Sequence, residues 1–271
     1  MFVVRRIDMQ YKGAVFFDID GTLVDERNKI FVPTDNVKKA IKTLKEKGYL
    51  TGVATGRSLC YFPNLGIDFE CYVSSNGALV EINGDVVYKM FYPQNDVLEI
   101  AKYMDENNTG YSLENSQHSY YKNACDNQFE EFINRFDLPD GAFVPLENPN
   151  DVQVNKILVY ANNLGQLEEI RQRFESDYTV TNHHGGLTAD IINNQISKAK
   201  GIEIVAEKIG ISMKDTYAFG DDGNDYEMLK AAGCGVAMTP HDKILDEVAD
   251  FVTLSVKDDG IVYALEKLDV I

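Results

Sequence analysis

The sequence predicts an α/β protein, with a doubly wound parallel-sheet (Rossmann-like) core into which a separate α+β domain is inserted. The core is predicted by short, continuous apolar runs of the kind that form buried parallel strands, several of them followed directly by polar residues. The insertion is predicted because the pattern of strands and helices changes near residue 85, and the α/β alternation resumes after residue 188. We therefore expect a core of residues 1–84 and 189–271 and an inserted domain of residues 85–188.

A βαβ unit opens the core. The apolar run 13–19 predicts a first buried strand, and the run 50–54 predicts a second one, which ends in Thr55-Gly56-Arg57. A right-handed crossover places both strands in one sheet, so the residues after them meet at its carboxyl edge, where open α/β sheets bind ligands. The helix between the strands is predicted by apolar residues at helical spacing: Val37, Ala40, Ile41 and Leu44.

A hairpin around Asn83-Gly84 leads into the insert, since this dipeptide favours the two-residue turn between antiparallel strands. Segment 85–188 has 7 basic and 17 acidic residues and so carries −10 of the net charge of −17. Its predicted helices are 95–107, 126–136 and 166–176, and its predicted strands are 110–113, 154–161 and 178–182.

The α/β pattern returns in the last third of the chain. Residues 216–220 predict a buried strand that leads directly into the polar cluster 221–225. The other elements predicted there are helices 198–209 and 225–232 and strands 235–238 and 251–254.

Composition excludes several classes of partner. With 26 basic and 43 acidic side chains, the net charge of −17 argues against binding to nucleic acid or to an anionic membrane surface. No apolar run approaches the roughly 20 residues of a membrane span, and the first residues lack the apolar stretch of a signal peptide. The four cysteines form no CxxC pair, so we expect reduced thiols and a cytoplasmic location.

Acidic residues follow two predicted strands of the same sheet. Asp18 and Asp20 end the first strand, and Asp221 begins the cluster after a later one. Carboxylates brought together repel one another unless a cation neutralises them, and oxygen ligands without histidine or cysteine favour Mg²⁺. Residues i and i+2 of a strand share a face, so Asp18 can be both a ligand and an attacking carboxylate, with Asp20 as acid and base.

A calcium-binding loop is the alternative for an Asp-x-Asp pattern. That loop needs glycine at its sixth position and glutamate at its twelfth, and counting from Asp18 these are Leu23 and Lys29. Counting from Asp221 also fails, because the sixth residue is Tyr226. Neither cluster therefore fits an EF-hand.

Four segments, in chain order, resemble the motifs of the haloacid dehalogenase-like phosphatases. They are Asp18-Ile19-Asp20-Gly21-Thr22, Thr55-Gly56-Arg57, Ser197-Lys198 and Gly220-Asp221-Asp222-Gly223-Asn224-Asp225. The set is most similar to the Cof-type subfamily, whose large cap domain is inserted between the second and third motifs. The third motif departs from the usual Lys-Gly, since Ala199 follows Lys198. Lys200-Gly201 is a competing register, but Ser197 as a helix-opening residue favours Lys198.

The resemblance implies a role for each motif. Asp18 would be the nucleophile, and Asp20 would protonate the leaving alcohol and then activate water. Mg²⁺ is the implied cofactor, and its implied ligands are Asp18, the carbonyl of Asp20 and Asp221, with Asp225 supporting the ion directly or through water. The residues that would hold the phosphoryl oxygens are Thr55, Gly56, Lys198 and Asn224.

The expected function is that of a Mg²⁺-dependent phosphatase, which hydrolyses a small, soluble phosphate monoester through an aspartyl-phosphate, with a sugar phosphate as the leading expectation. A phosphomutase of the phosphomannomutase type is one alternative. It would need clustered arginines for a second phosphate, and the insert has only Arg135, Arg171 and Arg173. A non-catalytic metabolite sensor is another, although such proteins commonly lose the nucleophile or the acid. The sequence is compatible with a monomer or a homodimer.

Three further features each keep two interpretations. His183-His184-Gly185-Gly186 lies where the insert is expected to return to the core, as a hinge or as a specificity loop. Arg57 either forms an ion pair or contacts substrate. The insert has tyrosines that either pack within its sheet or line a sugar-sized pocket: Tyr111, Tyr120 and Tyr121.

Overall fold

The computed structural model of the protein describes residues 11–123, 141–183 and 186–271. They form two compact units. The core unit comprises the chain up to Gly56 together with Asn64–Tyr88 and Ser197–Ile271, and the inserted unit comprises Arg57–Pro63 and Lys89–Ile196. The predicted α/β class is confirmed, with one sheet in each unit.

Strands and helices occur in both units. The strands of the described chain are β1 (Gly13–Phe17), β2 (Tyr49–Ala54), β3 (Cys71–Ser74), β4 (Leu79–Ile82), β5 (Asp85–Lys89), β6 (Gly110–Glu114), β7 (Ser119–Lys122), β8 (Phe143–Pro145), β9 (Lys156–Tyr160), β10 (Tyr178–Asn182), β11 (Thr188–Asn193), β12 (Thr216–Gly220), β13 (Cys234–Ala237) and β14 (Phe251–Val252). Its α-helices are α1 (Asp35–Glu46), α2 (Gln94–Glu106), α3 (Leu164–Phe174), α4 (Lys198–Ile209), α5 (Tyr226–Ala231) and α6 (Gly260–Lys267).

The core sheet has eight strands in the order β14-β13-β12-β1-β2-β3-β4-β5. β1 pairs in parallel with β2 on one side and with β12 on the other, so that Phe17 lies opposite Val53 and Phe219. The direction of chain progression therefore reverses at β1, and its carboxyl end is a topological switch point. Every residue of β1 and β2 is buried, as expected for central strands of a parallel sheet.

Two helices of the core unit begin at side-chain caps. The Thr34 hydroxyl accepts the Val37 N–H at the start of α1, and the Ser197 hydroxyl accepts the Lys200 N–H at the start of α4, both at 3.2 Å. The cap at Ser197 makes Lys198 the first residue of α4. α1 buries the four apolar residues that predicted it: Val37, Ala40, Ile41 and Leu44.

The inserted unit is built on a six-stranded sheet in the order β10-β11-β9-β6-β7-β8. β9 pairs in an antiparallel manner with both β6 and β11. One face of the sheet contributes to a hydrophobic core with α2 and α3 that contains Tyr111, so this tyrosine packs within the unit. The alternate positions of the central strands carry buried polar side chains: Ser112, Glu114, Lys156 and Asp190.

A buried polar network holds the segment Arg57–Pro63 within the inserted unit. The carboxylate of Glu114 accepts the hydroxyls of Ser58 at 2.7 Å and Tyr61 at 2.8 Å. Lys156 Nζ donates to the Tyr61 hydroxyl at 2.9 Å. The chain therefore enters the inserted unit directly after Gly56 and returns before β3, an excursion that the sequence did not predict.

Both predicted boundaries of the insert are wrong by a few residues. Residues 85–88 belong to the core sheet, because the turn at Asn83-Gly84 returns the chain beside β4. β11 pairs with β9 and β10, so the inserted unit continues to Ile196 rather than ending at residue 188. His183 and Gly186 thus lie between two strands of the inserted unit and not at its return to the core. His184 and Gly185 lie outside the described residues.

Most elements were predictable from the pattern of the sequence. The predicted strands and helices that fall on described residues agree with the structure to within two residues at each end. The predicted helix 126–136 lies outside the described residues, and no bounds were predicted for β3, β7, β8, β11 and α6. Across the described parts of the chain, no helix has both the length and the apolar character needed to cross a membrane.

Candidate active site

The candidate active site lies at the carboxyl edge of the core sheet. The Asp18 N–H donates to the Phe219 carbonyl at 2.9 Å, which extends the ladder between β1 and β12 as far as Asp18. Thr55 follows β2 and Asp221 follows β12. Three neighbouring parallel strands therefore deliver three of the predicted site residues to one edge.

A tight turn follows Asp18 and contacts the residues after β12. Gly21 has a φ of +83°, and a Cβ there would lie 2.0 Å from Oδ2 of Asp221. Both the backbone conformation and the available space therefore require glycine. The next hydroxyl, Thr22 Oγ1, donates to Oδ1 of Asp221 at 3.1 Å, a contact that the sequence did not indicate.

Three buried carboxylates form a cluster at this edge. One carboxylate oxygen from each of Asp18, Asp221 and Asp225 lies within 4.8 Å of the other two. Oδ2 of Asp225 accepts the N–H groups of Asp221 at 2.9 Å and Asp222 at 3.1 Å, which fixes its orientation. A Cβ at Gly220 would lie 2.4 Å from Cγ of Asp225, so glycine at the end of β12 lets this turn close.

Lys198 contributes a cation to the cluster. Its Nζ lies 2.9 Å from Oδ1 of Asp18 and 2.7 Å from Oδ1 of Asp225, and its side chain is 1% exposed. Lys200, the competing residue, is exposed and pairs instead with Glu203 at 2.9 Å. The structure therefore brings Lys198 to Asp18 and leaves Lys200 away from the cluster.

The turn after β3 supports this arrangement. Gly77 has a φ of +95°, and a Cβ there would lie 2.1 Å from the carbonyl oxygen of Ser197, immediately before Lys198. In the same turn, the Asn76 N–H donates to the Thr55 carbonyl at 3.0 Å. The turn thus contacts both the second and the third motif. The small residues were visible in the sequence, but these contacts were not.

Burial dominates the electrostatics of the carboxylate cluster. It raises the pKa of Asp18 to about 8; Lys198 opposes this shift, while the carboxylates of Asp225 and Asp20 add to it. Burial, together with repulsion from Asp225 and Asp18, holds the pKa of Asp221 well above its usual range. Burial acts to lower the pKa of Lys198, but Asp18 and Asp225 outweigh it and raise that pKa above its ordinary value. When ionised, three carboxylates beside one ammonium leave an excess of negative charge.

The donor set fits a divalent cation that prefers oxygen ligands. Asp221 has no cationic side chain within ion-pairing distance in the part of the chain that the structure describes. Oδ1 of Asn224, in the same turn, is buried and has no hydrogen-bond partner there. A cation held by Asp18, Asp221 and Asp225 would offset their repulsion. The cluster could therefore hold a metal ion.

Thr55 and Asp20 lie near the cluster in different surroundings. Thr55 is buried, and its N–H donates to the Val73 carbonyl at 2.8 Å, which anchors the end of β2. Asp20 is partly exposed, and its carboxylate is close enough to Asp18 to raise the pKa of that residue. Their roles toward phosphate, metal and water remain predictions.

Gly56 and Asn224 complete the set of predicted residues. Gly56 is the last residue before the chain enters the inserted unit, and Asn224 lies in the short turn between β12 and α5. Their contact with phosphate also remains a prediction. One supporting residue was missed: the Asp242 N–H donates to the Asp221 carbonyl at 2.8 Å. No periodicity or motif in the sequence indicates this contact, because Asp242 follows a different strand.

The switch point of this doubly wound sheet carries a buried aspartate, a lysine and further carboxylates. Residues 15–265 match the family model of the haloacid dehalogenase-like hydrolases. The chain therefore belongs to this family, and its relatives place it with the Cof-type phosphatases.

Several relatives that align along nearly the whole chain are phosphatases by name. The Bacillus subtilis protein YkrA, named as a candidate phosphatase, is 31% identical over 260 residues, which cover 94% of this chain and 96% of YkrA. The B. subtilis 5-amino-6-(5-phospho-D-ribitylamino)uracil phosphatase YcsE is 27% identical over 270 residues, 97% of each chain. Among solved structures, the subclass IIB sugar phosphatase BT4131 has a TM-score of 0.86 at 25% identity, covering 96% of this chain and 100% of its own. The protein is a phosphoric monoester hydrolase that acts on small phosphate substrates.

Proposed function

We propose that the protein is a Mg²⁺-dependent phosphatase that hydrolyses a sugar phosphate through an aspartyl-phosphate on Asp18. The observation that carries this proposal is the position of Lys198, which contacts Asp18 and Asp225 inside a cluster of three buried carboxylates. In phosphoryl transfer, negative charge spreads over the equatorial oxygens, and catalysis consists mainly of positioning and cationic stabilisation. This cluster offers both.

Asp18 supplies the attacking oxygen. A bond forms between its carboxylate and phosphorus while the bond from phosphorus to the ester oxygen breaks. Its backbone N–H is held by the Phe219 carbonyl and its Oδ1 by Lys198, so the nucleophile is positioned before substrate arrives. Lys198 favours the ionised, nucleophilic form of Asp18. Its contact with the phosphoryl oxygens is part of the proposal.

The acidic cluster would hold the Mg²⁺. Its proposed ligands are the carboxylates of Asp18, Asp221 and Asp225 and the carbonyl of Asp20. When bound, the ion neutralises the repulsion between the carboxylates and the phosphate dianion. The Thr22 hydroxyl orients the Asp221 carboxylate through its hydrogen bond, in the way that outer partners orient metal ligands.

Asp20 is proposed to move the proton. It gives a proton to the ester oxygen as the alcohol leaves, and then takes one from the water that attacks the aspartyl-phosphate. Its partial exposure suits a group that must meet water. The phosphoryl oxygens are assigned to a set of donors around the edge of the sheet: Thr55, Gly56, Lys198 and Asn224.

Sugar phosphates are the proposed substrates because of the relatives that carry a substrate in their names. One is a sugar phosphatase and another acts on a phosphoribityl compound, and these two names describe a phosphate on a polyhydroxylated carbon chain. Two further relatives, each 24% identical, are named phosphoglycolate phosphatases, so phosphoglycolate is the competing substrate. We assign selection of the substrate to the inserted unit as a cap domain, because a shared reaction site cannot by itself distinguish among phosphate esters.

Two arginines of the inserted unit argue against phosphomutase activity. Arg171 donates to Oδ1 of Asn182 at 2.8 Å and pairs with Glu168, and Arg173 pairs with Glu99. A mutase needs such groups to hold a second phosphate. The third arginine of the predicted insert, Arg135, lies outside the described residues, and the inserted unit as observed also includes Arg57.

The proposal is tested by comparing kcat/KM across phosphate esters in Mg²⁺. The panel contains hexose, pentose and polyol phosphates, nucleoside monophosphates and phosphoglycolate, each measured with the Asp18→Asn variant as the enzyme blank. We expect at least one sugar or polyol phosphate to exceed the nucleotides and phosphoglycolate by about tenfold or more, as expected for a selecting pocket. The sugar-phosphate assignment would be contradicted if a nucleotide had the highest kcat/KM, or if kcat/KM were equal for all the esters.

Removal of the metal is expected to abolish activity. Without a cation, the repulsion among Asp18, Asp221 and Asp225 opposes both ionisation of the nucleophile and approach of the phosphate. EDTA should therefore stop hydrolysis of p-nitrophenyl phosphate, and excess Mg²⁺ should restore it. Ca²⁺ should not, because it favours more ligands and looser geometry. Full activity after dialysis against EDTA would contradict the assigned site.

Mg²⁺ affinity is expected to rise with pH up to about 8. In the metal-free protein the pKa of Asp18 is raised from 3.8 to about 8, so metal binding below that pH must release a proton. A single such proton weakens binding by about fifty-fold at pH 6 relative to pH 8.

The same shift makes the metal-free fold less stable as pH rises from about 4 to about 8, because the carboxyl of Asp18 ionises at lower pH in the unfolded chain than in the folded one.

Calorimetric titration with Mg²⁺ at pH 6, 7 and 8 measures the pH dependence of the affinity. The Asp18→Asn variant is the matched control: it cannot release this proton, so its affinity should change less with pH. Equal affinity of the unmodified protein at pH 6 and 8 would show that Asp18 is already ionised in the metal-free state.

A further inference from the structure

The core sheet ends at β5, an edge strand with the sequence Asp-Val-Val-Tyr-Lys. Within the described residues, no strand pairs with its outer side. All five residues are at least partly exposed, and the Val86 side chain is 53% exposed. An edge strand of this kind is a template for pairing with another extended strand.

The hairpin geometry determines which backbone groups face outward. Asn83 and Gly84 both have positive φ, +52° and +81°, which defines a two-residue type I′ turn between β4 and β5. In such a hairpin the residues that flank the turn exchange both hydrogen bonds, and every second residue of the strand does the same. Asp85, Val87 and Lys89 therefore direct their N–H and C=O groups toward β4. Val86 and Tyr88 direct theirs away from the sheet.

We propose that β5 is a homodimer interface in which the β5 strands of two copies pair in an antiparallel manner about a twofold axis at Val87. In this register Val86 of each copy lies opposite Tyr88 of the other, and both residues have outward-facing backbone groups. The two pairs together make four backbone hydrogen bonds. Val87 of one copy lies opposite Val87 of the other copy across the axis, and these two residues form a non-hydrogen-bonded pair. The two core sheets become one sheet with twofold symmetry.

Charge complementarity selects a second copy of this chain as the partner. The same register places Asp85 opposite Lys89 of the second copy, and the symmetry makes this contact twice. Opposite charges at directly paired positions stabilise a sheet, and like charges there destabilise it. Both side chains are exposed. Lys89 Nζ lies 4.5 Å from the centroid of the Phe91 ring, so pairing with Asp85 of the second copy would add to or replace this contact.

Apolar contacts favour the same register. Exposed Val86 meets the ring of Tyr88 from the second copy, and cross-strand pairs of aromatic and β-branched residues are among the favourable ones. The nearest other registers that pair outward-facing residues differ by two residues. They place Asp85 opposite Val87 or Phe91 and remove a pair of hydrogen bonds. The symmetric register about Val87 is therefore the one that satisfies both the charges and the backbone.

A protective role is the alternative for the two charges. Charged residues on an edge strand commonly prevent pairing. Reversal of one charge distinguishes the two roles. If the charges form a dimer contact, the reversal weakens the dimer. If they prevent pairing, the protein is monomeric both with and without the reversal.

The register is tested by disulfide cross-linking of the full-length chain. In a non-hydrogen-bonded antiparallel pair the Cα atoms are about 4.5 Å apart, within the range of a disulfide. Val87→Cys should therefore form a covalent dimer under mild oxidation. Val252→Cys, on the opposite edge strand, and the unmodified chain are the matched controls. Cross-linking of Val87→Cys no faster than the controls would overturn the register.

Charge reversal tests the partner independently of any cross-link. Sedimentation velocity over about 1 to 500 µM should show a reversible dimer, since strand pairing alone buries less than a standard interface. Asp85→Lys and Lys89→Asp should each raise the dimer dissociation constant by about tenfold or more, and the double reversal should restore it to within about threefold. Phosphatase activity and thermal stability of each variant serve as folding controls. The proposal would be overturned if the protein were a monomer at all concentrations, or if neither single reversal changed the dimer dissociation constant.

Discussion

Replacement of Asp18 by asparagine is expected to reduce turnover to background, a loss of at least about 10⁴-fold. The amide keeps the shape of the carboxyl but cannot attack phosphorus, so no phosphoryl enzyme forms. Because burial already holds the pKa of Asp18 near 8, a neutral side chain there should not lower the stability of the metal-free protein. Steady-state assays measure the loss of turnover, and a thermal melt measures the stability. Mass spectrometry of the peptide that contains Asp18, after rapid quenching, shows whether a phosphoryl enzyme forms.

Asp25→Asn is the matched control in the same loop. Its carboxylate accepts two hydrogen bonds from the neighbouring Asn28: Oδ1 accepts the backbone N–H at 3.2 Å, and Oδ2 accepts the side-chain amide at 2.6 Å. Its replacement should leave turnover within about threefold of the original, as is usual for substitutions away from the reacting atoms. Near-normal turnover of Asp18→Asn, or a phosphoryl group on serine, histidine or Asp221, would contradict the assigned nucleophile.

Replacement of Asp20 by asparagine is expected to reduce turnover of alkyl phosphates by about 10²- to 10⁴-fold, the usual contribution of a general acid and base. Its proposed metal contact is through the backbone carbonyl, so Mg²⁺ affinity should be unchanged. p-Nitrophenyl phosphate has a leaving group that needs little protonation. With this substrate, the rate of aspartyl-phosphate formation should therefore fall less than it does with an alkyl phosphate. Hydrolysis of the aspartyl-phosphate still needs a base, and the intermediate should accumulate.

A rapid-quench burst separates the two steps of the Asp20→Asn variant. We expect a burst of p-nitrophenol close to one per enzyme, followed by slow turnover, with the added phosphoryl mass on the peptide that contains Asp18. Equal losses for p-nitrophenyl phosphate and a sugar phosphate, with no trapped intermediate, would show that Asp20 is not the proton-transferring group.

The site could be predicted largely because its residues follow buried strands. Asp18, Thr55 and Asp221 each come directly after an apolar run, and parallel strands of one sheet deliver such residues to one edge. The choice of Lys198 over Lys200 was also local, since Ser197 caps α4 and makes Lys198 its first residue. These inferences needed only strand patterning and helix capping.

Other features required the tertiary structure. The hydrogen bond from Thr22 to Asp221 joins residues 199 positions apart, and the Asp242 contact with Asp221 comes from the loop after a different strand. The placement of Arg57–Pro63 in the inserted unit depends on Glu114 and Lys156, which lie far along the chain. No local pattern reports such contacts, because each depends on where a distant segment packs.

By itself, the sequence determined the α/β class, the order of the core elements, the family motifs and the identity of the charged groups. These follow from local periodicity, capping and residue chemistry. The tertiary structure alone decided that β5 belongs to the core sheet and β11 to the inserted one, because the partner of an edge strand depends on nonlocal packing. It alone also decided how far burial shifts the pKa of Asp18, since that shift arises from desolvation within a cluster drawn from three separate segments.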